Sequence, residues 1–138
     1  MVGILIIAHG TLGESLIHCA SHVLNKRPGR LRQLGVTAQD DPLLLLPQAR
    51  ELVKQLDGGS GVVILSDMYG GSPSNIAAKL LQPGRVEGVA GVNLPMLIRV
   101  LTYRDRALST VVTKAVSGGC EGVMRIPPMS LHNAATGT

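Results

Sequence analysis

The chain of 138 residues has no phenylalanine, no tryptophan and only two tyrosines. Its interior must therefore be built from Leu, Val, Ile, Ala and Met, and the aromatic platforms that stack single-stranded bases are missing. The two cysteines, Cys19 and Cys120, are far apart and form no CxxC pair, so they read as core or surface thiols. No apolar run approaches the ~18–20 residues that span a bilayer. No n-region, h-region and cleavage site opens the chain; the expected location is the cytoplasm, with thiols reduced. A GxxxxGK[ST] loop is absent, which argues against binding ATP through a P-loop.

Charge is also sparse: 16% of residues are charged, with a formal net charge of +4. Basic residues gather at Lys26, Arg27, Arg30 and Arg32, and again at Arg99, Arg104 and Arg106. These groups are too thin for nucleic-acid binding. They read as solvated faces, with docking of an acidic protein as a second reading. Apolar residues make up 45% of the chain, enough for a real core and against global disorder. The length fits one domain, expected over residues 1–127, with 128–138 a small, polar, mobile tail.

The run Val2–Ala8 is almost wholly apolar, as in a central strand covered on both faces. Thr11 with Glu14 has the spacing of a capping box, and Leu12, Leu16, Ala20, Val23 and Leu24 recur at helical spacing to predict a helix over 12–24. Leu31–Thr37 is a weaker strand. Asp40-Asp41-Pro42 starts a second helix, carried by Leu45, Ala49, Leu52, Val53 and Leu56; Pro47 near its beginning is expected to shorten or displace it. Gly61–Ser66 is a second buried strand. A helix over 72–81, a strand over 86–92, helices over 94–103 and 108–117, a stop at Gly118-Gly119 and a short strand at Gly122–Ile126 complete the pattern. Strands alternating with helices predict an α/β fold with a mostly parallel sheet.

Both strong strands end on a functional group. Val2–Ala8 stops at His9-Gly10, and Val62–Leu65 stops at Ser66-Asp67, followed by Gly70-Gly71-Ser72-Pro73. Ligands of open parallel sheets bind beyond the carboxyl ends of strands. A neutral imidazole is a good nucleophile near pH 7. Asp67, if its strand neighbours that of His9, would fix the ring tautomer and steady the charge that builds on it, as the acid of a catalytic triad does. Gly70 and Gly71 let backbone approach a ligand closely, and Ser72 is the expected N-cap, with Pro73 the first helical residue. The amides of Gly71, Ser72 and Ser74 and the Ser72 hydroxyl then form a phosphate cradle. These are the parts for carrying a phosphoryl group on histidine. Gly10 and Asn93 line the same edge, the latter in the turn Gly91-Val92-Asn93-Leu94-Pro95-Met96. His18 and His22 share a helix face, but nothing nearby in sequence completes a metal site. No metal or cofactor is expected.

Three segments carry a family resemblance. Gly3-Ile4-Leu5-Ile6-Ile7-Ala8-His9-Gly10 looks like the start of the mannose-family enzyme IIA domain of the bacterial phosphoenolpyruvate-dependent sugar phosphotransferase system. Asp67-Met68-Tyr69-Gly70-Gly71-Ser72-Pro73-Ser74-Asn75 resembles that family's second signature, with Tyr69 where Phe is usual. Gly91–Met96 is similar to its third, and the match is collinear over about residues 2–126.

The resemblance implies a doubly wound sheet of four parallel strands with helices on both faces. It adds a C-terminal antiparallel strand, here Gly122–Ile126, exchanged across a homodimer. It implies that the phosphocarrier HPr phosphorylates His9 at Nε2, that Asp67 orients the ring, that Ser72 helps bind the phosphate, and that a IIB protein accepts the group. As the chain ends soon after the IIA portion, that acceptor is expected to be separate, with contact to the membrane at most peripheral, through IIC and IID components. A regulatory phosphorelay through the same His9 is the alternative. A subunit of the dihydroxyacetone-kinase type and a non-catalytic binding module are weaker readings.

Overall fold

The structure, a computed structural model, describes residues 1–129. Most of the expected tail, residues 130–138, with His132, lies outside the described residues. Four strands, β1 (Gly3–His9), β2 (Leu31–Val36), β3 (Val62–Ser66) and β4 (Val86–Ala90), form one sheet in the order β2-β1-β3-β4. Every pairing between strands is parallel; Ile4 lies opposite Leu31 on one side and Val63 on the other. The helices are α1 (Leu12–Leu24), α2 (Pro42–Leu56), α3 (Ser72–Ala78), α4 (Leu94–Tyr103) and α5 (Leu108–Glu121). The chain winds outward from β1 to β2, then returns past β1 to β3. The carboxyl ends of β1 and β3 therefore flank the point where the winding reverses, the place where such sheets bind ligands. Among the described residues, no helix is long and apolar enough to cross a membrane.

The unbroken apolar run of β1 follows from this topology, because β1 is central and covered on both faces. Ile4, Ile6 and Ala8 face one way, with Val63 and Leu65 of β3, and pack with Ile17, Leu97, Val100 and Val111 of the α1, α4 and α5 layer. Leu5 and Ile7 face the other way, with Ile64 of β3, against Leu52 and Leu56 of α2, Ile76 of α3 and Leu80 just after it. Ile4, Leu5, Ile6 and Ile7 are all 0% exposed, each such side chain contributing about 1.5–3 kcal/mol. Gly3 interrupts the run because a Cβ there would strike the backbone carbonyl of Leu56.

Local details depart from the sequence-based expectations in instructive ways. Thr11 makes no side-chain cap. Glu14 turns instead to Arg27, at 3.2 Å, and His18, at 3.5 Å. Pro47 sits inside α2 without ending it. The bond it cannot make would go to the carbonyl of Leu43, an exposed residue that water can serve. Helix α3 stops at Ala78, and its N-cap is Gly71 rather than Ser72. Strand β2 ends at Val36 and β4 at Ala90.

Helix α5 runs through Gly118-Gly119 to Glu121. Those glycines are buried where α4 crosses α5: a Cβ on Gly118 would lie 2.9 Å from Arg99 Cβ, and one on Gly119 2.7 Å from Met96 Cε. They permit close helix packing and do not stop the helix. Residues 122–129 form no strand within the chain and are exposed.

The second basic group is not a surface patch. Arg104 is buried, and its guanidinium donates to the carbonyls of Val2, Gly29 and Arg30, the Gly29 bond being 2.7 Å. It ties together the amino ends of β1 and β2. Burial pushes its pKa down; Asp105 opposes this and Arg30 adds to it. Arg99 is paired with Glu121 at 2.6 Å. In the first group Arg27 is bound to Glu14, and Arg30 donates to the carbonyl of Leu56, which leaves Lys26 and Arg32 as its unpaired members among the described residues.

Candidate active site

The neighbourhood of β1 and β3 brings His9 and Asp67 together. His9 is the last residue of β1 and Asp67 the first after β3. His9 Nδ1 lies 2.7 Å from Asp67 Oδ2, and the backbone N–H of His9 donates to the same oxygen at 2.9 Å. The other oxygen, Oδ1, accepts from the N–H of Met68 at 3.0 Å. The Asp67 side chain is 11% exposed and that of His9 51%. Burial alone would raise the pKa of Asp67. The His9 amide, the His9 ring and its charge, and a backbone hydrogen bond at Asp67 outweigh burial and hold the carboxyl below its ordinary value. The group is thus ionised near neutrality. An ionised carboxylate can only accept, so Nδ1 carries a ring hydrogen, and in the neutral ring Nε2 is the nitrogen with the free lone pair.

The free edge of the ring faces the glycine turn. A Cβ on Gly71 would sit 3.1 Å from His9 Cε1 and 3.5 Å from Nε2; a side chain there would push the ring or be pushed by it. Gly70 adopts φ +95°, a left-handed conformation that glycine takes freely. Ser72 opens α3, and Ser72 and Ser74 are half-buried. Among the described residues no acceptor engages the amides of Gly71, Ser72 or Ser74. They are the donors that a helix start leaves free for an anion. Gly10, at φ +57°, donates to the carbonyl of Val36 and fixes the turn after His9 to the end of β2.

Asn93 lies at the same sheet edge, but its side chain is occupied. Its Oδ1 accepts from the N–H of Met96 at 2.9 Å and its Nδ2 donates to the carbonyl of Gly119 at 3.1 Å. It caps α4 and clamps α5. Sequence reasoning missed two things here. The first is that the His9 amide shares the Asp67 oxygen, a contact that depends on strand order. The second is a rim of exposed apolar side chains on the segments that lead away from the site: Leu12 after β1, Leu43 and Leu44 at the start of α2, and Met68 and Tyr69 after β3. The run Leu43-Leu44-Leu45-Leu46 was a signal, since consecutive leucines cannot all face the core of one helix.

Chemically, the site offers an accessible nucleophilic nitrogen, a carboxylate on the far side of the ring to absorb positive charge, and free amides beyond the nitrogen. None of the site residues named is Lys or Arg.

The chain is similar to known proteins. A family profile described as "PTS system fructose IIA component", for the mannose-type enzyme IIA group, matches residues 3–116. The mannose-specific EIIAB component of Escherichia coli K12 is 30% identical over 137 residues, which is 97% of this chain. The chain spans 42% of the length of that relative. The fructose-specific EIIA component of Bacillus subtilis is 26% identical over 76% of this chain and 72% of its own. In fold, a mannose/sorbose-specific IIA subunit from Enterococcus faecalis superposes with a TM-score of 0.83 at 20% identity, covering 94% of this chain and 98% of that one. The chain belongs to the mannose-type enzyme IIA family of the phosphotransferase system.

Proposed function

We propose that the protein is a phosphohistidine carrier: His9 takes a phosphoryl group from phospho-HPr and passes it to a IIB acceptor in a mannose-type sugar phosphotransferase system. The observation that carries this reading is the 2.7 Å contact between His9 Nδ1 and Asp67 Oδ2, which leaves Nε2 nucleophilic. In the transfer, the Nε2 lone pair attacks phosphorus as the donor's bond to phosphorus breaks, and the donor keeps that electron pair. The ring, now bonded at Nε2 and still bearing hydrogen at Nδ1, becomes cationic, and Asp67 bears the matching charge. The reverse step on the acceptor discharges it.

The remaining residues fit a carrier that must not trap its cargo. The amides of Gly71, Ser72 and Ser74, with the Ser72 hydroxyl, stabilise the phosphoryl oxygens by aligned dipoles rather than by fixed charge. Asp67 adds some repulsion to the bound anion and favours handing it on. Gly70 shapes the turn, Gly10 anchors the loop of His9, and Asn93 supports the edge through α4. The apolar rim suits protein partners better than a small molecule, since a docking surface around a transferable group needs a desolvated contact.

The same reading includes a homodimer. Beyond Val86, which bridges Gln82, the outer edge of β4 is unpaired among the described residues. Beside it runs a cavity of about 520 Å3 lined by Val89, Met96, Val116 and Val123. The exposed apolar segment with Val123, Met124 and Ile126 is suited to add an antiparallel strand to a partner's β4, covering both edges.

The testing experiment incubates the protein and its His9→Ala variant with phosphoenolpyruvate, enzyme I and HPr, then measures intact mass before and after acid. An acid-labile phosphate on the wild type only supports the carrier. An unmodified wild type beside fully phosphorylated HPr refutes it.

A further inference from the structure

At the opposite end of the sheet from His9, where the α2 and α3 layer meets the amino end of β4, lies a cavity of about 370 Å3. Its rim carries Arg50 and Lys54 from the second half of α2, Lys79 at the end of α3, and Arg85 just before β4. Its floor is apolar, with Val53, Leu80 and Val86. Asp57 is the one carboxylate in the lining, and it is fully engaged. It accepts from the amides of Gly59 and Gly61 at 2.9 and 3.1 Å, and Arg85 holds it at 2.7 Å. Among the described residues no ion pair engages Arg50, Lys54 or Lys79. Four cations against one carboxylate leave a formal excess of three positive charges around a concave, apolar-floored space.

Basic residues near helix carboxyl ends commonly offset the helix dipole, and that suffices for Lys54 and Lys79 taken singly. It does not account for Arg50, inside α2, nor for the convergence of Arg50, Lys54 and Lys79 on one cavity; Arg85 is held by Asp57 and donates to the carbonyl of Gly59 at 3.2 Å. We propose that this cavity binds a phosphorylated small metabolite. The phosphate would be held by Arg50, Lys54 and Lys79, and the body of the molecule would rest on the Val53, Leu80 and Val86 floor. The volume lies at the lower end of small-ligand pockets, about 300–1,000 Å3, which fits one sugar or nucleoside monophosphate. Concavity and an apolar floor distinguish it from a flat basic patch for an acidic protein. The site is independent of the phosphoryl relay, although α3 links the two ends: Gly71 caps it beside His9 and Lys79 follows it at the cavity.

The test titrates the full chain with inorganic phosphate, glucose 6-phosphate and adenosine monophosphate. Calorimetry gives affinity, and backbone amide shifts in 15N-labelled protein give location. The expected result is saturable binding of at least one of the two organic phosphates, tighter than inorganic phosphate. The largest shifts should fall within residues 50–57 and 79–86. Lys54→Ala with Lys79→Ala should weaken binding about tenfold or more, since charge-assisted hydrogen bonds are lost. The control pair Lys26→Ala with Arg32→Ala, equal in charge removed, should leave it unchanged. Comparison of the two organic probes tells a sugar body from a nucleoside body. The proposal is overturned if neither organic phosphate saturates below about 10 mM, or if the control pair weakens binding equally. It is equally overturned if a poly-glutamate peptide shifts these amides while neither organic phosphate does.

Discussion

Replacing Asp67 by Asn probes the hinge of the account. Asp67 Oδ2 accepts from both the amide and the ring of His9, and Oδ1 accepts from Met68. Asn has one accepting oxygen and one donating nitrogen. If its nitrogen faced His9, it would oppose the His9 amide and force the ring to the tautomer with hydrogen on Nε2, which destroys the nucleophile. Its oxygen must therefore face His9, and the Met68 amide then loses its partner. The geometry at Nδ1 survives, but the charge that steadies the imidazolium does not. Hydrogen bonds to charged groups contribute about 1.5–3 kcal/mol against about 0.5–1.5 for neutral ones. With a half-exposed ring, the loss in the transition state should be no more than about 1–1.5 kcal/mol, or roughly fivefold to tenfold in rate. The assay is the single-turnover rate of phosphorylation by phospho-HPr, with melting temperature as the folding control. An Asp67→Asn protein that is folded and phosphorylated at the wild-type rate would refute the orienting and charge-steadying role.

Other outcomes follow from the same geometry. Gly71→Ala should slow transfer about tenfold through misplacement of the ring, with little change in melting temperature; a rate equal to wild type would mean the turn does not bear on the ring. Leu43→Asp with Leu44→Asp, on the exposed rim, should slow phosphorylation by HPr about tenfold or more without loss of stability, measured by the dependence of rate on HPr concentration. Arg104→Met should destabilise the fold by about 1–3 kcal/mol, since it strands the buried carbonyl of Val2 and takes a donor from those of Gly29 and Arg30; denaturant unfolding reads this directly.

Asp57 and Asp67 are both held below the ordinary carboxylate range. Burial opposes this in each, and hydrogen bonds outweigh it, to Gly59, Gly61 and Arg85 for Asp57 and to His9 for Asp67. Their stabilisation is complete above the ordinary Asp value of about 3.9 and is lost as pH falls through the lowered values. Melting temperature should fall steeply in that acid range, and Asp57→Asn should lower it above pH ~5 while flattening the acid slope.

The candidate site residues were legible because strand ends are legible. An unbroken apolar run that stops at His9, and another that stops at Asp67, state their position at a sheet edge without any knowledge of strand order. The order itself was not legible from pattern. The adjacency of β1 and β3, on which the His9–Asp67 pair depends, came with the family resemblance and the structure. Glycine was the main source of error. Gly118-Gly119 reads as a stop, but in the structure it admits α4 against α5; a single helix cannot reveal a contact made by its neighbour. Arg104 failed in the same way. A basic residue between polar neighbours looks solvated, and only the tertiary fold turns it inward onto the carbonyls of Val2, Gly29 and Arg30. The Thr11 and Glu14 pair has capping spacing, yet Glu14 finds Arg27, across the turn at the far end of α1, instead.

The central claim is that Asp67 dedicates His9 Nδ1 to itself and Nε2 to phosphorus. Its most direct test is the ring nitrogen spectrum of His9, 15N-labelled and phosphorylated by HPr, with phosphorus coupling used to identify the bonded nitrogen. The account requires the phosphoryl group on Nε2 of His9 and hydrogen on Nδ1. A phosphoryl group on Nδ1, or on any residue other than His9, would contradict it.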